Sequence, residues 1–220
     1  MSRRQKTACR QRRWSYHVAW MMLQRFRVAM VNSERTKLTG TVEVDETFFG
    51  GGKRGRGADK DIVVIAVEIK EGKGFGRTRM RHVPDVSGDS LIPFIRDSIS
   101  PDAILITDAW KGYSQVGNYG YTREIKNLSD SDDFTHVHMP GVHRLASLLK
   151  RWILGTHQGS VSGMHLQAYL EEYTFRLNRR NARSRGLVFK RLIEQSLQTK
   201  PITQEDIVDG YWNNDDDEEA

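Results

Sequence analysis

Cysteine is almost absent from this chain. Cys9 is the only one in 220 residues, so no internal disulfide can form, and a zinc site built on cysteine pairs is excluded. Long hydrophobic runs are also missing: no stretch approaches the roughly 20 apolar residues of a membrane-spanning helix. With 38% hydrophobic residues and a negative mean hydropathy, the chain reads as a soluble cytoplasmic protein. The opening "MSRRQKTACRQRRW" is basic with no apolar stretch behind it, which is not the pattern of a secretory leader. Acid is scarce at this end, where residues 1–35 hold nine Lys and Arg against Glu34, whereas residues 201–220 hold eight acids and no Lys or Arg. Without that tail, 34 basic residues face 20 acidic ones, a formal +14 that suits a polyanionic partner. The tail "NNDDDEEA" reads either as a solubilising, disordered end or as a competitor for nucleic acid.

Two apparent motifs are excluded by their details. "GGGKRGRGADK" is rich in glycine, but Lys53 is followed by Arg54 instead of Ser or Thr, and a strand-like segment follows instead of a helix. It reads as a basic hairpin tip, with Lys53, Arg54 and Arg56 able to meet DNA phosphates. His136, His138 and His157 are too loosely spaced for a structural zinc site in a chain without cysteine pairs.

Periodicity gives an α/β chain. Residues 1–38 contain a helix, "SYHVAWMMLQRFRVAM", with Val18, Met21, Met22, Phe26 and Met30 on its apolar side and Arg25 and Arg27 elsewhere. It is either the end of a helix-turn-helix or a helix that docks on the next domain. Strands are expected over 39–49, 61–70, 78–86, 103–108 and 121–127, with helices over 89–99 and near 110–117. A loop over 129–141 leads into a helical region over 142–197 that carries ten Lys and Arg. Three domains are expected: a basic N-terminal segment 1–38, a catalytic α/β domain 39–197, and an acidic tail 198–220.

Within this frame a few polar residues stand out. In "TVEVDETFFGG" the acids fall on both parities of a strand, Glu43 and Asp45 on one and Glu46 on the other. Asp108 ends the buried-strand pattern "AILITD", where an aspartate also serves as a helix cap. His143 lies in a helix whose Val142, Leu145, Leu149, Trp152 and Ile153 recur at helical spacing, and Lys150, two turns on, shares its face. Singly, Asp45 reads as a solvated edge acid and His143 as a surface or core residue, but two strand-borne aspartates followed by a helix-borne histidine fall where a divalent-metal nuclease needs its ligands, with Lys150 on the same helix face as a point charge for phosphate. Glu43 reads as a metal helper or as one half of an ion pair. Trp110, Lys111 and Tyr113 follow Asp108, where an aromatic ring either stacks on an unpaired base or packs on the sheet. Leu166, Tyr169, Leu170, Tyr173 and Leu177 form a core stripe, and Arg176, Arg179 and Arg180 a basic end suited to phosphate contact.

Four ordered blocks, "GTVEVDETFFGG", "LITDAWKGY", "SLLKRWILGTHQGSVS" and "HLQAYLEEYTFRLNRR", resemble the DDE-superfamily transposase domain of bacterial insertion sequences, in its ISXO-two-like group. The resemblance runs from about Ser15 to about Leu197. It implies a ribonuclease H-like fold, a mixed sheet flanked by helices, in which the first and fourth strands lie side by side and bring Asp45 to Asp108. By the resemblance, Asp45 and Asp108 take the places of the two catalytic aspartates and His143 the variable third place, with Lys150 as the basic residue seven positions on. Two Mg²⁺ or Mn²⁺ ions are the implied cofactors, with histidine tilting the site toward Mn²⁺. The implied partners are transposon ends and target DNA, held by a homo-oligomer near the nucleoid, with Arg144 and Arg151 among the candidate DNA contacts. This group usually carries a cysteine-bearing zinc ribbon ahead of the catalytic domain, which Cys9 alone cannot form. The rival reading is therefore a truncated or degenerate remnant that binds DNA without turnover.

Overall fold

The computed structural model describes residues 15–31, 35–50, 60–70, 72, 74–126, 139–158 and 161–210. Lys53, Arg54, Arg56, His136 and His138 lie outside these residues, as does the acidic end of the tail.

The sheet is the frame. Its strands are β1 (Thr41–Phe49), β2 (Asp61–Lys70), β3 (Gly74–Val83), β4 (Ile104–Thr107) and β5 (Thr122–Ile125), in spatial order β3-β2-β1-β4-β5. The first three form an antiparallel meander, and β4 and β5 then add in parallel beside β1. The meander is local in sequence, whereas the parallel pairing needs the crossover helix α2 (Gly88–Ser98) between β3 and β4. Both faces of the middle strand are covered, so Val63, Val64, Ile65, Ala66 and Val67 are all fully buried, and "DIVVIAVEIK" shows an apolar run instead of alternation.

On one face, Val42, Val44, Val64 and Ala66 pack with Leu91, Phe94 and Ile95 of α2. On the other, Val63, Ile65 and Val67 pack with Leu145 and Leu149 of α3 (Pro140–His157) and with Leu166 and Leu170 of α4 (Gly163–Asn178). The remaining helices are α1 (Tyr16–Ala29), α5 (Arg185–Gln198) and α6 (Gln204–Asp209). The architecture is the mixed sheet flanked by helices expected of the ribonuclease H-like class. Among the described residues no helix is long and apolar enough to cross a membrane.

Four local expectations change. Strand β3 begins at Gly74, not at 78, because the hairpin after Lys70 turns through Gly72 and Gly74, both at positive φ, and pairing starts at once. It stops at Val83, ahead of Pro84. The single helix expected near 110–117 is two 3₁₀ turns, Lys111–Tyr113 and Val116–Tyr119; glycines at 112, 117 and 120 oppose one continuous α-helix. Helix α1 buries Met21, Gln24, Arg27, Val28 and Ala29 and leaves Val18 and Met22 exposed, so its inward face is rotated from the expected stripe. The cause lies in its neighbours. Arg27 donates to Glu172 of α4 at 2.8 Å and lies 4.2 Å over the Tyr169 ring, while Met21 and Val28 on the same face pack with Ile202 and Ile207, so the inward face is the one that meets both neighbours.

Candidate active site

The parallel ladder between β1 and β4 matches Thr41 with Ile104, Val42 with Leu105 and Glu43 with Ile106. Continued two residues, this register falls on Asp45 and Asp108. Because β4 ends at Thr107, Asp45 keeps its partner Ile65 on β2 while Asp108 lies just past the last β4 residue, at the carboxyl end of that strand. Helix α3 approaches Asp45 from a distant part of the sequence. His143, in its first turn, places Nδ1 4.0 Å from Oδ2 of Asp45, with the two side chains 30% and 17% exposed.

Each aspartate has one oxygen committed to the backbone. Oδ1 of Asp45 accepts the Glu46 N–H at 2.9 Å, and Oδ1 of Asp108 accepts the Trp110 N–H at 3.0 Å, so Asp108 caps the turn that follows as well as ending the strand. Burial pushes the Asp45 carboxyl above its ordinary value. The Glu46 backbone bond and His143 pull the other way, while Asp108 adds to the rise. Glu46, on the opposite face of β1, is pushed up to about 7 by burial, with Asp45 and Asp108 adding, although the Tyr113 hydroxyl donates to it. Among the described residues no Lys or Arg is ion-paired with Asp45, Glu46 or Asp108. The site is thus a set of partly buried carboxylates whose cationic neighbours, Arg123 near Asp108 and His143 near Asp45, act at a distance without a tight ion pair, and its donors suit a hard or borderline divalent cation. As the side chains stand, no three described His, Cys, Asp or Glu residues close around a single ion.

The order of the helix start depends on Glu43. Its buried carboxylate accepts the Val142 N–H at 2.9 Å and is also held by the Gly141 N–H, at the end of α3, where the N-cap residue Met139 gives no side-chain bond. Among the described residues Glu43 has no ion pair; it caps a helix from a neighbouring strand. A side chain at Gly141 would meet the Ile69 methyl end at 2.6 Å and the Glu43 carboxylate at 2.9 Å, so any larger residue here would displace the capping carboxylate.

Lys150 stands apart. It lies about 10 Å down α3 from His143, exposed, with Nζ 5.7 Å above the Phe49 ring. Lys111, in the turn after β4, and Arg144 and Arg151, on helix α3, are exposed. The arginines at the end of α4 have protein partners: Arg176 pairs with Glu172 at 3.2 Å, Arg179 lies 3.8 Å over the Phe175 ring, and Arg180 donates to the Phe75 and Gly76 carbonyls. Tyr113 is fully buried and not available for stacking on a base, while Trp110 is half exposed and donates its indole N–H to Val86 at 2.8 Å. His157 sits edge-on between Trp152 and Tyr169 as part of an aromatic cluster.

Two contributors left no sequence signal. Arg123 of β5 donates to the Thr107 hydroxyl and to the Asp108 carbonyl, each at 2.8 Å, and fastens the peptide that carries Asp108. Gly112 allows the turn after Asp108 to approach the Val86 carbonyl, which a side chain there would meet at 2.5 Å.

An uncharacterised transposase-like protein of Haemophilus influenzae is 27% identical over 118 residues, spanning 52% of this chain and 92% of that protein. The crystal structure of the catalytic core domain of BIV integrase aligns over 73% of this chain and 97% of its own, at 14% identity and a TM-score of 0.40. The sequence pattern of the ISXO2-like transposase domain matches residues 37–178, which take in the whole sheet, α2, α3 and α4. The chain belongs to the ISXO2-like transposase family, in the DDE superfamily.

Proposed function

We propose that this protein cuts and joins DNA strands to move an insertion sequence, using divalent metal held by Asp45, Asp108 and His143. The observation that carries the reading is the meeting of Asp45, on β1, with His143, 4.0 Å away on α3, and with Asp108, which follows the neighbouring parallel strand β4 and acts electrostatically on Asp45. When bound, the metal would activate the attacking water or 3′ hydroxyl and stabilise the leaving oxygen of the phosphodiester. Asp45 and Asp108 each offer the oxygen not taken by the backbone, and His143 offers a ring nitrogen, which favours Mn²⁺ over Mg²⁺. Arg123 and Glu43 act through others: one holds the Asp108 peptide, the other the start of the helix that bears His143. Lys111, Arg144, Lys150 and Arg151 supply point charges for the DNA backbone. Transposon ends and target DNA are the partners, in an oligomer assembled on DNA in the bacterial cytoplasm.

The absence of a closed three-ligand group among the described residues favours a second reading, a remnant that binds DNA without turnover. Strand cleavage and strand transfer on element-end duplexes, with Mn²⁺ titration by calorimetry, separate the two. Asp45→Ala and Asp108→Ala are each expected to abolish cleavage and weaken Mn²⁺ binding while leaving DNA binding intact. Equal turnover in either variant and the parent would remove the assigned site; DNA binding without Mn²⁺ binding in the parent would establish the remnant.

A further inference from the structure

A second concentration of charge lies at the opposite edge of the sheet. Between edge strand β3, the segment Arg35–Thr36 and the C-terminal half of α4 there is a cavity of about 370 Å³, into which Arg35, Arg77, Arg79 and Arg179 all project. Two carboxylates, Glu68 and Glu171, are close by, and both are already committed. Glu171 accepts from Arg35 at 3.0 Å and from Gln167 at 3.0 Å, and Glu68 accepts from Arg77 and from the Thr39 N–H. Among the described residues, four guanidinium groups against two carboxylates leave a surplus of two positive charges.

The surplus rests on Arg79 and Arg179. Arg79 is 6% exposed and donates only to carbonyls, Thr78 at 3.0 Å and Thr36 at 2.9 Å; among the described residues it has no ion pair. Burial, with Arg35 and Arg77 adding, pushes its pKa down to about 10, although Glu171 and Glu68 pull the other way. Arg179 donates to the Phe175 carbonyl at 3.4 Å and is likewise without an ion pair. A third donor completes the set. Thr174 is 4% exposed, lines the same cavity, and its hydroxyl has no hydrogen-bond partner. A buried hydroxyl left unsatisfied beside two uncompensated guanidinium groups is a costly arrangement for an empty protein and a good one for a tetrahedral oxyanion.

We infer that this cavity binds a phosphate group through Arg79, Arg179 and Thr174. The phosphate is either one on a DNA strand or the free inorganic ion. The cavity is separate from the Asp45 site and needs no metal, so its test is independent of the proposed catalysis.

The full-length protein is titrated in EDTA, by calorimetry and thermal shift, with inorganic phosphate and with a short single-stranded oligonucleotide bearing or lacking a 5′-phosphate. Saturable binding is expected, weakened about tenfold or more in Arg79→Met and in Arg179→Gln and several-fold in Thr174→Val, and unchanged in Asp45→Ala. Saturation by inorganic phosphate alone identifies the free ion as the ligand. Oligonucleotide binding that depends on the 5′-phosphate, or that inorganic phosphate displaces, identifies a strand phosphate. Arg179→Gln and Thr174→Val, nearer the cavity mouth or nearly isosteric, decide the matter if Arg79→Met does not fold. The inference is overturned if neither probe saturates, if the folded cavity variants bind as the parent does, or if Asp45→Ala weakens binding as much as they do.

Discussion

Replacing Glu43 tests the contact that ties the catalytic helix to the sheet. In Glu43→Ala the Val142 and Gly141 N–H groups lose their acceptor inside a buried site, where Glu43 is 3% exposed and water has little room to substitute. One stranded buried donor costs about 1–3 kcal/mol. With the lost carboxylate at the helix start adding to it, the total is about 3 kcal/mol. Glu43→Gln keeps an acceptor oxygen and nearly the same volume. It gives up a charge-assisted bond, but it also removes an ion that burial destabilises, since burial holds the Glu43 carboxyl above its ordinary value. The two terms oppose each other, and the expected loss is under about 1 kcal/mol. Urea denaturation followed by tryptophan fluorescence measures both variants, and hydrogen exchange at Val142 reports on the helix start directly. Equal destabilisation by Ala and Gln, or an unchanged Val142 exchange rate in Glu43→Ala, would refute the capping role. In Glu43→Ala the freed helix start also moves His143, so Mn²⁺ affinity should fall more than in Glu43→Gln.

Three other outcomes follow from the site. Glu46 has a folded-state pKa of about 7 against an ordinary 4.5, so between these values the folded protein binds more protons than the unfolded chain, and stability falls as pH rises through that window. Glu46→Gln should remove a loss of about 3 kcal/mol and flatten stability between pH 4.5 and 7, measured in EDTA; a pH profile identical to the parent's would contradict the burial argument. His143→Glu should shift the metal preference from Mn²⁺ toward Mg²⁺ in cleavage assays, and an unchanged preference would mean that His143 is not a ligand. Gly112→Ala should lower cleavage more than it lowers thermal stability, because the forced displacement from the Val86 carbonyl falls on the turn after Asp108; full activity would show that the turn can relax elsewhere.

Much of this was legible in the residues, and for identifiable reasons. The unbroken apolar run of β2 and the alternation in β1 gave their boundaries to within two residues, and a short apolar strand ending on an acid located Asp108. Helical spacing likewise found α3 and the burial of Leu145, Leu149 and Ile153. What escaped were roles that depend on a partner distant in sequence. Glu43 meets Val142, Glu46 meets Tyr113 and Arg123 meets the Asp108 peptide, and no local pattern encodes which acid will face a helix end and which a phenol. The same holds for α1, where periodicity favours Val18 and Met22 as inward residues, whereas the face that turns inward carries the contacts with Ile202 and Ile207 and the Arg27–Glu172 pair.

That pair also bears on how the protein can be divided. The family pattern begins at residue 37, yet Arg27, ahead of that boundary, neutralises Glu172 within it at an interface where both side chains are largely hidden from water. A fragment trimmed to the matched span would leave Glu172 with Arg176 alone, uncover the Tyr169 face that Arg27 shields, and lose the packing of Met21 and Val28 against Ile202 and Ile207, making it a poor reagent for expression or crystallisation. The boundary of recognisable ancestry and the boundary of autonomous folding do not coincide here: the working unit extends back to the leading helix.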